Sequence, residues 1–303
     1  MRLCAVSVDL DEIPNYFGIH GLPPPVGPSS TLVYDVAIDR LTAFAHELSI
    51  PLTLFAIGSD LARPAAADRL RKAAEGGFEI ANHTLDHRYD LVRLGRDEIR
   101  RQVNEGASAI ERATGVVPIG FRAPGYTVTD ELFEVLEELG VAYDSSVFPS
   151  PAYWAAKTAM IGLIRALGRE SRSIVDTPNV LRAPVRPYRV GRPYWERGAG
   201  ILEMPVQVTR GLRLPFFGTS VVLRGSEFAR WLAKSCDGEP MVNLELHGID
   251  VLDAADGLST LRQHQPDVRV PVDQKLLSLR AAIEELRSSG YSFVTLKTAA
   301  HAM

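Results

Sequence analysis

Two histidines four positions apart, His83 and His87, stand directly after a short apolar segment, FEIAN (78–82). Four residues are about one helical turn, so a strand that passes into a helix here would aim both imidazoles at one point. Metal sites use this spacing, and two solvated or capping histidines can share it as well. The pair therefore needs a third ligand and a reacting group elsewhere in the chain before it indicates a metal site.

Two carboxylates, Asp9 and Asp11, follow the first apolar segment of the chain. In an extended strand they point to opposite faces, so the chain must turn if both are to approach one point. A helix cap or a solvated turn is the alternative for this pair. Combined with His83 and His87, Asp11 completes a set of two imidazoles and one carboxylate, which leaves coordination positions open as catalytic metal sites do. Asp9 would then lie beside the metal as a general base.

The elements that must position these residues alternate between strands and helices. We predict strands over residues 2–8, 51–57, 78–82, 118–122, 141–144, 201–206, 241–247 and 291–296. We predict helices over residues 31–49, 59–77, 96–114, 130–139 and 273–288. Residues 14–30 are rich in proline and glycine, and we predict a loop there. This alternation favours right-handed βαβ units and a mostly parallel sheet.

The polar residues that could do chemistry share one position in this scheme, at or just after the C-terminal end of a predicted strand. They are Asp9, His83, Arg122, Asp144 and His247. In a barrel of parallel strands the active site is built at that end, where the βα loops meet. We therefore predict an α/β fold of parallel strands with its active site at the C-terminal ends of the strands, and these five positions favour a closed barrel over an open sheet.

The composition indicates a soluble globular protein. With 303 residues, 46% of them hydrophobic, the chain can bury a large core, and we expect one domain over 1–303. A net charge of -4 without long runs of Lys or Arg makes nucleic acid an unexpected partner. Two cysteines exclude a disulfide framework. Because the chain begins without a signal-peptide pattern, we expect it in the cytoplasm, either free or at the inner face of the membrane.

The ordered motifs of the chain resemble those of the polysaccharide deacetylase family, the nodulation-type carbohydrate N- and O-deacetylases. The resemblance rests on SVDLDE (7–12), NHTLDH (82–87), FRAPGY (121–126), YDSSVFPSP (143–151), LEMPV (202–206) and LELHGID (244–250). The first motif of this family commonly has two adjacent aspartates followed by glycine, whereas here Leu10 separates them and Glu12 follows. This spacing is similar to the branch that includes lipid-linked formamido-arabinose deformylases. It leaves the roles of Asp9 and Asp11 exchangeable.

The resemblance implies a deformed barrel of roughly seven or eight parallel strands. It also implies a hydrolase with one divalent metal ion, zinc in the first place and otherwise cobalt, nickel, iron or manganese. The residues that match its ligands are Asp11, His83 and His87. Asp9 matches the catalytic base, Arg122 the arginine that pairs with the base, and His247 the general acid. Elementary chemistry agrees with these roles. A divalent ion acidifies water, and an amide nitrogen is a good leaving group only when it is protonated. We expect further substrate contacts from Tyr126, Pro124, Gly125, Asp144, Asp250 and His20.

Residues 151–200 do not follow the alternation of strands and helices and are predicted to be an insertion. Its first part, PAYWAAKTAMIGLIRALGRES (151–171), is mostly apolar with a few cations, too short and too charged to span a bilayer. Residues 151–169 can lie in the membrane interface, and LRLPFFGTSVVL (212–223) is a second apolar segment. Both can instead pack on the barrel as ordinary cover. If the first contacts the membrane, the substrate is an N-acylated aminosugar carried on a lipid.

The sequence as a whole predicts a metal-dependent hydrolase that removes a formyl or acetyl group from an aminosugar. Two alternatives remain open. One is a cyclic-amide hydrolase of the allantoinase-like branch, and the other is a catalytically silent protein that binds a glycan or a lipid. A binding protein has no need for both a base and an acid, so the joint presence of Asp9 and His247 disfavours the silent alternative.

Overall fold

A mostly parallel sheet forms the centre of the protein, which we describe from a computed structural model over residues 2–303; Met1 lies outside the described residues. Its nine strands are β1 (Arg2–Asp9), β2 (Leu52–Ala56), β3 (Glu79–Asn82), β4 (Gly120–Phe121), β5 (Tyr143–Asp144), β6 (Tyr188–Val190), β7 (Arg197–Glu203), β8 (Met241–His247) and β9 (Tyr291–Phe293). The strand order is β6-β7-β5-β4-β3-β2-β1-β8, and β9 pairs with β1. Only the β6–β7 pair among the described residues is antiparallel. The predicted α/β fold with parallel strands is confirmed.

The sheet curls into a half barrel, and irregular chain bridges the gap between its edges. The segment after β7 reaches β8, where Gln207 N donates to Asn243 O at 3.1 Å. The Asn243 side chain in turn donates hydrogen bonds to the carbonyls of Met204 and Pro205 at 3.2 and 3.3 Å. Phe217 adds an isolated parallel bridge to β8. A deformed, incompletely paired barrel is therefore the form that the predicted fold takes.

Helices cover the sheet in the intervals between strands. Over residues 2–303 they are α1 (Ile13–Ile19), α2 (Ile38–Leu48), α3 (Pro64–Glu75), α4 (Arg96–Thr114), α5 (Asp130–Glu138), α6 (Pro151–Ala166), α7 (Gly218–Val222), α8 (Ser226–Lys234), α9 (Val272–Ser288) and α10 (Leu296–His301). Local sequence sets their ends. Gly115 ends α4 with a φ of 74°, a conformation that glycine adopts without strain, and Thr129 Oγ1 begins α5 by accepting from Leu132 N at 3.3 Å.

The prediction of a loop over 14–30 is wrong in its first part, because α1 occupies Ile13–Ile19. Pro14 lies in the first turn, where a missing backbone N–H breaks no helical hydrogen bond. Ile13, Tyr16 and Phe17 are buried on one face of the helix. This proline marks a helix start, and the apolar spacing after it was the missed signal.

We keep the proposal of one domain over 1–303 with an insertion at 151–200. That range contains α6, an irregular segment, β6 and the first part of β7, which pairs with β6 in an antiparallel hairpin. Strand β7 begins four residues before the predicted strand start. The second apolar segment, 212–223, packs on the barrel through the fully buried Phe216, Val221 and Val222. No helix among residues 2–303 is both long enough and apolar enough to cross a bilayer.

Candidate active site

Three predicted metal ligands converge at the C-terminal ends of β1 and β3. His83 Nε2 lies 3.2 Å and His87 Nε2 lies 3.0 Å from Asp11 Oδ1. All three side chains are buried. Their ligand atoms lie within 4.8 Å of one another, which is the arrangement needed to hold one ion.

The environment of these atoms fits a divalent cation. Asp11 Oδ1, His83 Nε2 and His87 Nε2 are buried and make no hydrogen bond within the described chain. Leaving buried polar atoms without partners is costly, and a cation bound by all three removes that cost. His83 Nδ1 donates to the Arg122 carbonyl at 2.8 Å, which fixes the tautomer and leaves the Nε2 lone pair for a ligand bond.

A turn, not a helix, brings the two histidines together, so the helical part of the spacing prediction is wrong. Thr84 and His87 both adopt positive φ, 71° and 49°. Asn82 Oδ1 accepts from Thr84 N at 3.0 Å, and Thr84 Oγ1 accepts from His87 N at 3.0 Å. Positive φ at two non-glycine residues indicates backbone strain, which these hydrogen bonds maintain at the site.

Asp9 lies beside the metal set and is paired with a buried arginine. Arg122 Nη1 donates to Asp9 Oδ1 at 2.6 Å, while Asp9 Oδ2 lies 3.8 Å from His83 Nε2. The guanidinium is fully buried and also donates to Ser7 Oγ and to Ser145 Oγ and O. Arg122 is thus held in one position from which it fixes the orientation of the Asp9 carboxylate.

His247 lines the same cavity and has a carboxylate behind it. Its Nδ1 lies 3.0 Å from Glu245 Oε1, and its Nε2 lies 3.3 Å from the hydroxyl of Tyr126. Asp250 Oδ2 accepts from the backbone N–H of His247 at 2.8 Å. One ring nitrogen is therefore turned to a buried carboxylate and the other to the cavity.

The charges of the site shift several pKa values. Burial alone would raise the pKa of Asp11, but His87 and His83 hold it well below its usual range. Burial lowers the pKa of His87. For His247 burial acts in the same direction, but Glu245 and Asp9 outweigh it and raise the pKa of His247 to about 9. The imidazole of His247 is accordingly protonated at neutral pH, as a general acid must be.

The catalytic groups open into a cavity of about 140 Å³. Its wall includes the predicted residues Asp9, Asp11, Gly125, Tyr126 and His247. Four predicted substrate contacts lie behind the wall instead. Pro124 and Asp144 are buried, Asp250 caps His247, and His20 Nε2 lies 3.0 Å from the wall residue Gln265. Their placement fits support of the wall better than direct contact with substrate.

Sequence reasoning missed three features of the site. Glu245 precedes His247 by two residues on β8, so the alternation of a strand already puts both on one face. Lys157 of α6 lines the cavity and donates to Gly125 O at 2.7 Å, and burial lowers its pKa to about 8. Glu203 and Asp144 form a buried acid pair in which burial raises both pKa values. The last two join segments distant in sequence, which no local pattern reveals.

Comparison with known proteins gives a family match for part of the chain. Residues 32–143, which contain His83, His87 and Arg122, match the family model described as polysaccharide deacetylase. A chitooligosaccharide deacetylase of Sinorhizobium fredii is 34% identical over 100 residues, which are 32% of this chain and 44% of that protein. The match spans less than half the length of each of two curated relatives.

Solved structures share the fold over nearly the whole chain. A protein of Mycobacterium smegmatis described as a polysaccharide deacetylase has a TM-score of 0.63 at 21% identity, covering 99% of this chain and 90% of that one. A CE4 family pseudoenzyme of Bacillus anthracis has a TM-score of 0.52 at 11% identity, covering 99% of this chain and 65% of that one. The family match covers about a third of the chain and the shared fold covers nearly all of it, so residues 32–143 are similar to the polysaccharide deacetylase family within a fold that the solved deacetylase structure shares.

Proposed function

We propose that this protein is a metal-dependent hydrolase that removes a short N-acyl group from an aminosugar. One observation carries the proposal. Three clustered ligand atoms, an arginine-bound carboxylate and a carboxylate-bound histidine lie together at one cavity, whose wall includes Asp9, Asp11 and His247. Metal ligands, a base and an acid gathered at one cavity are the parts that amide hydrolysis requires.

Asp11, His83 and His87 would hold the metal, for which two imidazoles and one carboxylate favour zinc, with cobalt, nickel, iron and manganese as further candidates. When bound, a divalent ion supplies Lewis-acid chemistry, acidifying water and polarising a carbonyl group. The His83 Nδ1 bond to the Arg122 carbonyl joins this ligand to the residue that orients the base. Ligand and base are therefore positioned by the same strand end.

Asp9 is assigned as the general base. Arg122 occupies Oδ1, so Oδ2 is the oxygen free to accept a proton from the attacking water. The arginine also keeps a negative charge favourable at a carboxylate that is otherwise buried. Asp9 thus receives one proton as the carbon–oxygen bond forms.

His247 is assigned as the general acid. Its Nε2 faces the cavity and delivers a proton to the amine nitrogen as the carbon–nitrogen bond breaks, while Glu245 stabilises the imidazolium from the other side. The products are a carboxylic acid and a free amine. Asp9 returns its proton and His247 regains one through solvent, which closes the cycle.

The loop after β4 supports the carbonyl oxygen of the substrate in this proposal. Pro124 has no backbone N–H, and Tyr126 N donates to Ala123 O at 3.1 Å. The remaining N–H of this turn belongs to Gly125, and we assign it to the developing oxyanion. The Lys157 bond to the Gly125 carbonyl holds that peptide in place.

The shape of the cavity supports a small acyl group, formyl or acetyl, on a single sugar unit. Its volume of about 140 Å³ is below the roughly 300 Å³ at which ordinary ligand pockets begin. Helix α6 and residues 171–172 roof it. Ser171 Oγ donates to Ile19 O at 2.6 Å and Arg172 N donates to Gly18 O at 3.0 Å, both on α1.

We further propose that the aminosugar is lipid-linked and that α6 rests on the inner face of the membrane. The outer face of this helix leaves Met160, Leu163 and Leu167 at 41%, 55% and 60% exposure. Arg165 and Arg169 follow on the same segment, where they suit anionic headgroups. Because α6 also roofs the cavity, a substrate held at the membrane surface would be close to the catalytic groups. The formamido-arabinose deformylase branch remains a prediction on this basis.

Neither alternative from the sequence is favoured by the family match. A cyclic-amide hydrolase and a silent binding protein both keep the fold, and the Bacillus anthracis pseudoenzyme is a protein with this fold that carries such a description. Fold alone therefore does not establish turnover here. The complete set of ligands, base and acid is the reason for proposing it.

The test is mass spectrometry of free and lipid-linked N-formyl and N-acetyl aminosugars incubated with the purified protein, with and without a chelator. We expect loss of one acyl group that chelation prevents and added zinc restores. A faster reaction on the lipid-linked form would support the membrane proposal, and Leu163→Glu should remove that advantage while sparing the free sugar. No mass change on any substrate by metal-loaded protein would contradict the proposed reaction.

A further inference from the structure

A second cleft, rich in arginine, is lined by residues of the insertion and of the segment that follows β7. Residues 182–213 carry seven arginines against two glutamates, in a protein whose net charge is -4. Five of these arginines, Arg182, Arg186, Arg197, Arg210 and Arg213, line an open cleft of about 550 Å³. The cations of this region are therefore gathered at one concave surface instead of being spread over the molecule.

The cleft is only partly neutralised from within. Its wall contains one acid, Glu239, which lies 2.7 Å from Arg186 and 3.6 Å from Arg210. Among the described residues no ion pair is formed by Arg182, Arg197 or Arg213. Like charges repel across a cleft, so this arrangement costs free energy unless an anion enters it.

The arginines are held in place before any ligand binds. The Arg182 guanidinium lies 5.9 Å from the ring centre of Trp195, and that of Arg197 lies 5.8 Å from the ring centre of Tyr188. Arg213 Nη1 donates to Leu181 O at 2.8 Å, and Arg210 Nη1 donates to Asp237 O at 2.9 Å. Side chains fixed in this way lose little conformational freedom on binding, which favours recognition over a mobile charged surface.

We infer that this cleft is a binding site for a phosphate mono- or diester group. Guanidinium groups match the geometry of phosphate oxygens with paired hydrogen bonds, and several of them around one concavity suit a ligand that carries more than one negative charge. The cleft is too small and the chain too acidic for a nucleic-acid surface. The site does not depend on hydrolysis at the catalytic cavity and goes beyond the proposed function.

The cleft is next to the catalytic cavity. A single apolar cluster separates them, in which Val185 and Val208 face the cleft while Tyr126, Tyr153 and Phe217 face the cavity. A ligand that fills both would carry an aminosugar and a phosphate group close together. Two sources share this chemistry, a soluble sugar phosphate and the phosphate of a lipid, and the experiment below separates them.

The test is titration of the full-length protein with inorganic pyrophosphate by calorimetry, together with cosedimentation with neutral and anionic phospholipid vesicles. The double variant Arg182→Gln/Arg197→Gln changes two cleft arginines whose side chains make no ion pair in the described structure. The matched control, Arg189→Gln/Arg192→Gln, removes the same charge from the same segment outside the cleft wall.

We expect pyrophosphate or anionic vesicles to bind, and the cleft variant to lose roughly tenfold or more in affinity while the control stays close to the parent. Binding of pyrophosphate that the cleft variant weakens assigns the site to soluble phosphates. Binding of anionic vesicles alone assigns it to lipid when the cleft variant weakens that binding, since α6 is also proposed to contact anionic headgroups. Absence of binding in both arms, or an equal loss in the two variants, would overturn the inference. Neither result depends on catalytic activity, so failure of the proposed hydrolysis would be seen separately.

Discussion

His247 and Glu245 lie on the same face of β8 because they are two residues apart on a strand. The pair explains how a buried imidazole can serve as an acid at neutral pH. Burial by itself would lower the pKa of His247, and the Glu245 carboxylate at 3.0 Å is the largest of the opposing influences that bring it to about 9. His247 therefore loses its proton only as the pH rises through about 9.

At the scale of single residues, we predict how Glu245→Gln changes the pH dependence of activity. Without the carboxylate, the largest of the influences that raise the pKa of His247 is lost, so that pKa falls and the basic limb of the pH–rate profile should move to lower pH. At neutral pH we expect kcat/KM to fall by roughly tenfold or more, since general acid catalysis is worth about a hundredfold or more. The measurement is kcat/KM across the pH range, on the best N-acyl aminosugar substrate.

Glu203→Gln is the control for this variant. Glu203 is also fully buried, but its carboxylate lies beside Asp144 and is not among the charges that shift the pKa of His247, so the same substitution there leaves that pKa unchanged. Its profile should keep the basic limb of the parent protein. A Glu245→Gln profile that superimposes on the parent would exclude Glu245 as the partner that sets the pKa of His247.

At the scale of elements, the packing of α4 against the turn after β3 holds His83 in position. An added Cβ on Gly106 of α4 would lie 2.7 Å from Asn82 Oδ1 and 2.7 Å from the Thr84 carbonyl carbon. Asn82 in turn donates to Val103 O of the same helix at 2.8 Å. Helix and turn thus meet with no room for a methyl group.

Gly106→Ala should therefore disturb both stability and the metal site. We expect the free energy of unfolding to fall by roughly 1 to 3 kcal/mol, the usual cost of overpacking, and metal affinity to weaken because the turn must move. Chemical denaturation and metal titration measure the two effects. Gly162→Ala in α6, where an added Cβ meets nothing within 4 Å, should instead stabilise by up to about 1 kcal/mol. Equal stability of the Gly106 variant and the parent would contradict this account of the packing.

At the scale of the whole molecule, the metal site joins β1 to β3 and should stabilise the fold when it is occupied. An ion that binds only the folded state at a hundred times its Kd adds roughly 2.7 kcal/mol, which raises the Tm by several degrees. We expect this rise with zinc in the parent protein, and its loss in His87→Ala. His301→Ala, an exposed histidine of α10, is the control that should keep it. A metal-dependent rise that survives His87→Ala would place the ion elsewhere.

Most of the sheet and the chemical residues could be predicted from the sequence, because both follow from local patterns. Apolar runs located the strands, and of the polar residues at their ends Asp9 and His247 line one cavity, with Arg122 buried behind Asp9 and paired with it. The turn at Thr84 and His87 could not be predicted, since positive φ at such residues is imposed by surrounding contacts. The position of α6 over the cavity could not be predicted either, because it depends on hydrogen bonds between residues as distant in sequence as Arg172 and Gly18.

The central claim is that a metal bound by Asp11, His83 and His87 works with Asp9 as the base. The most direct test is acyl release by Asp9→Asn and the parent protein, with the metal content of both determined on the same samples. We predict one bound divalent ion per chain in each, and acyl release by the parent alone. Undiminished release by Asp9→Asn, or loss of its metal, would contradict the account, the second by showing that Asp9 is a ligand.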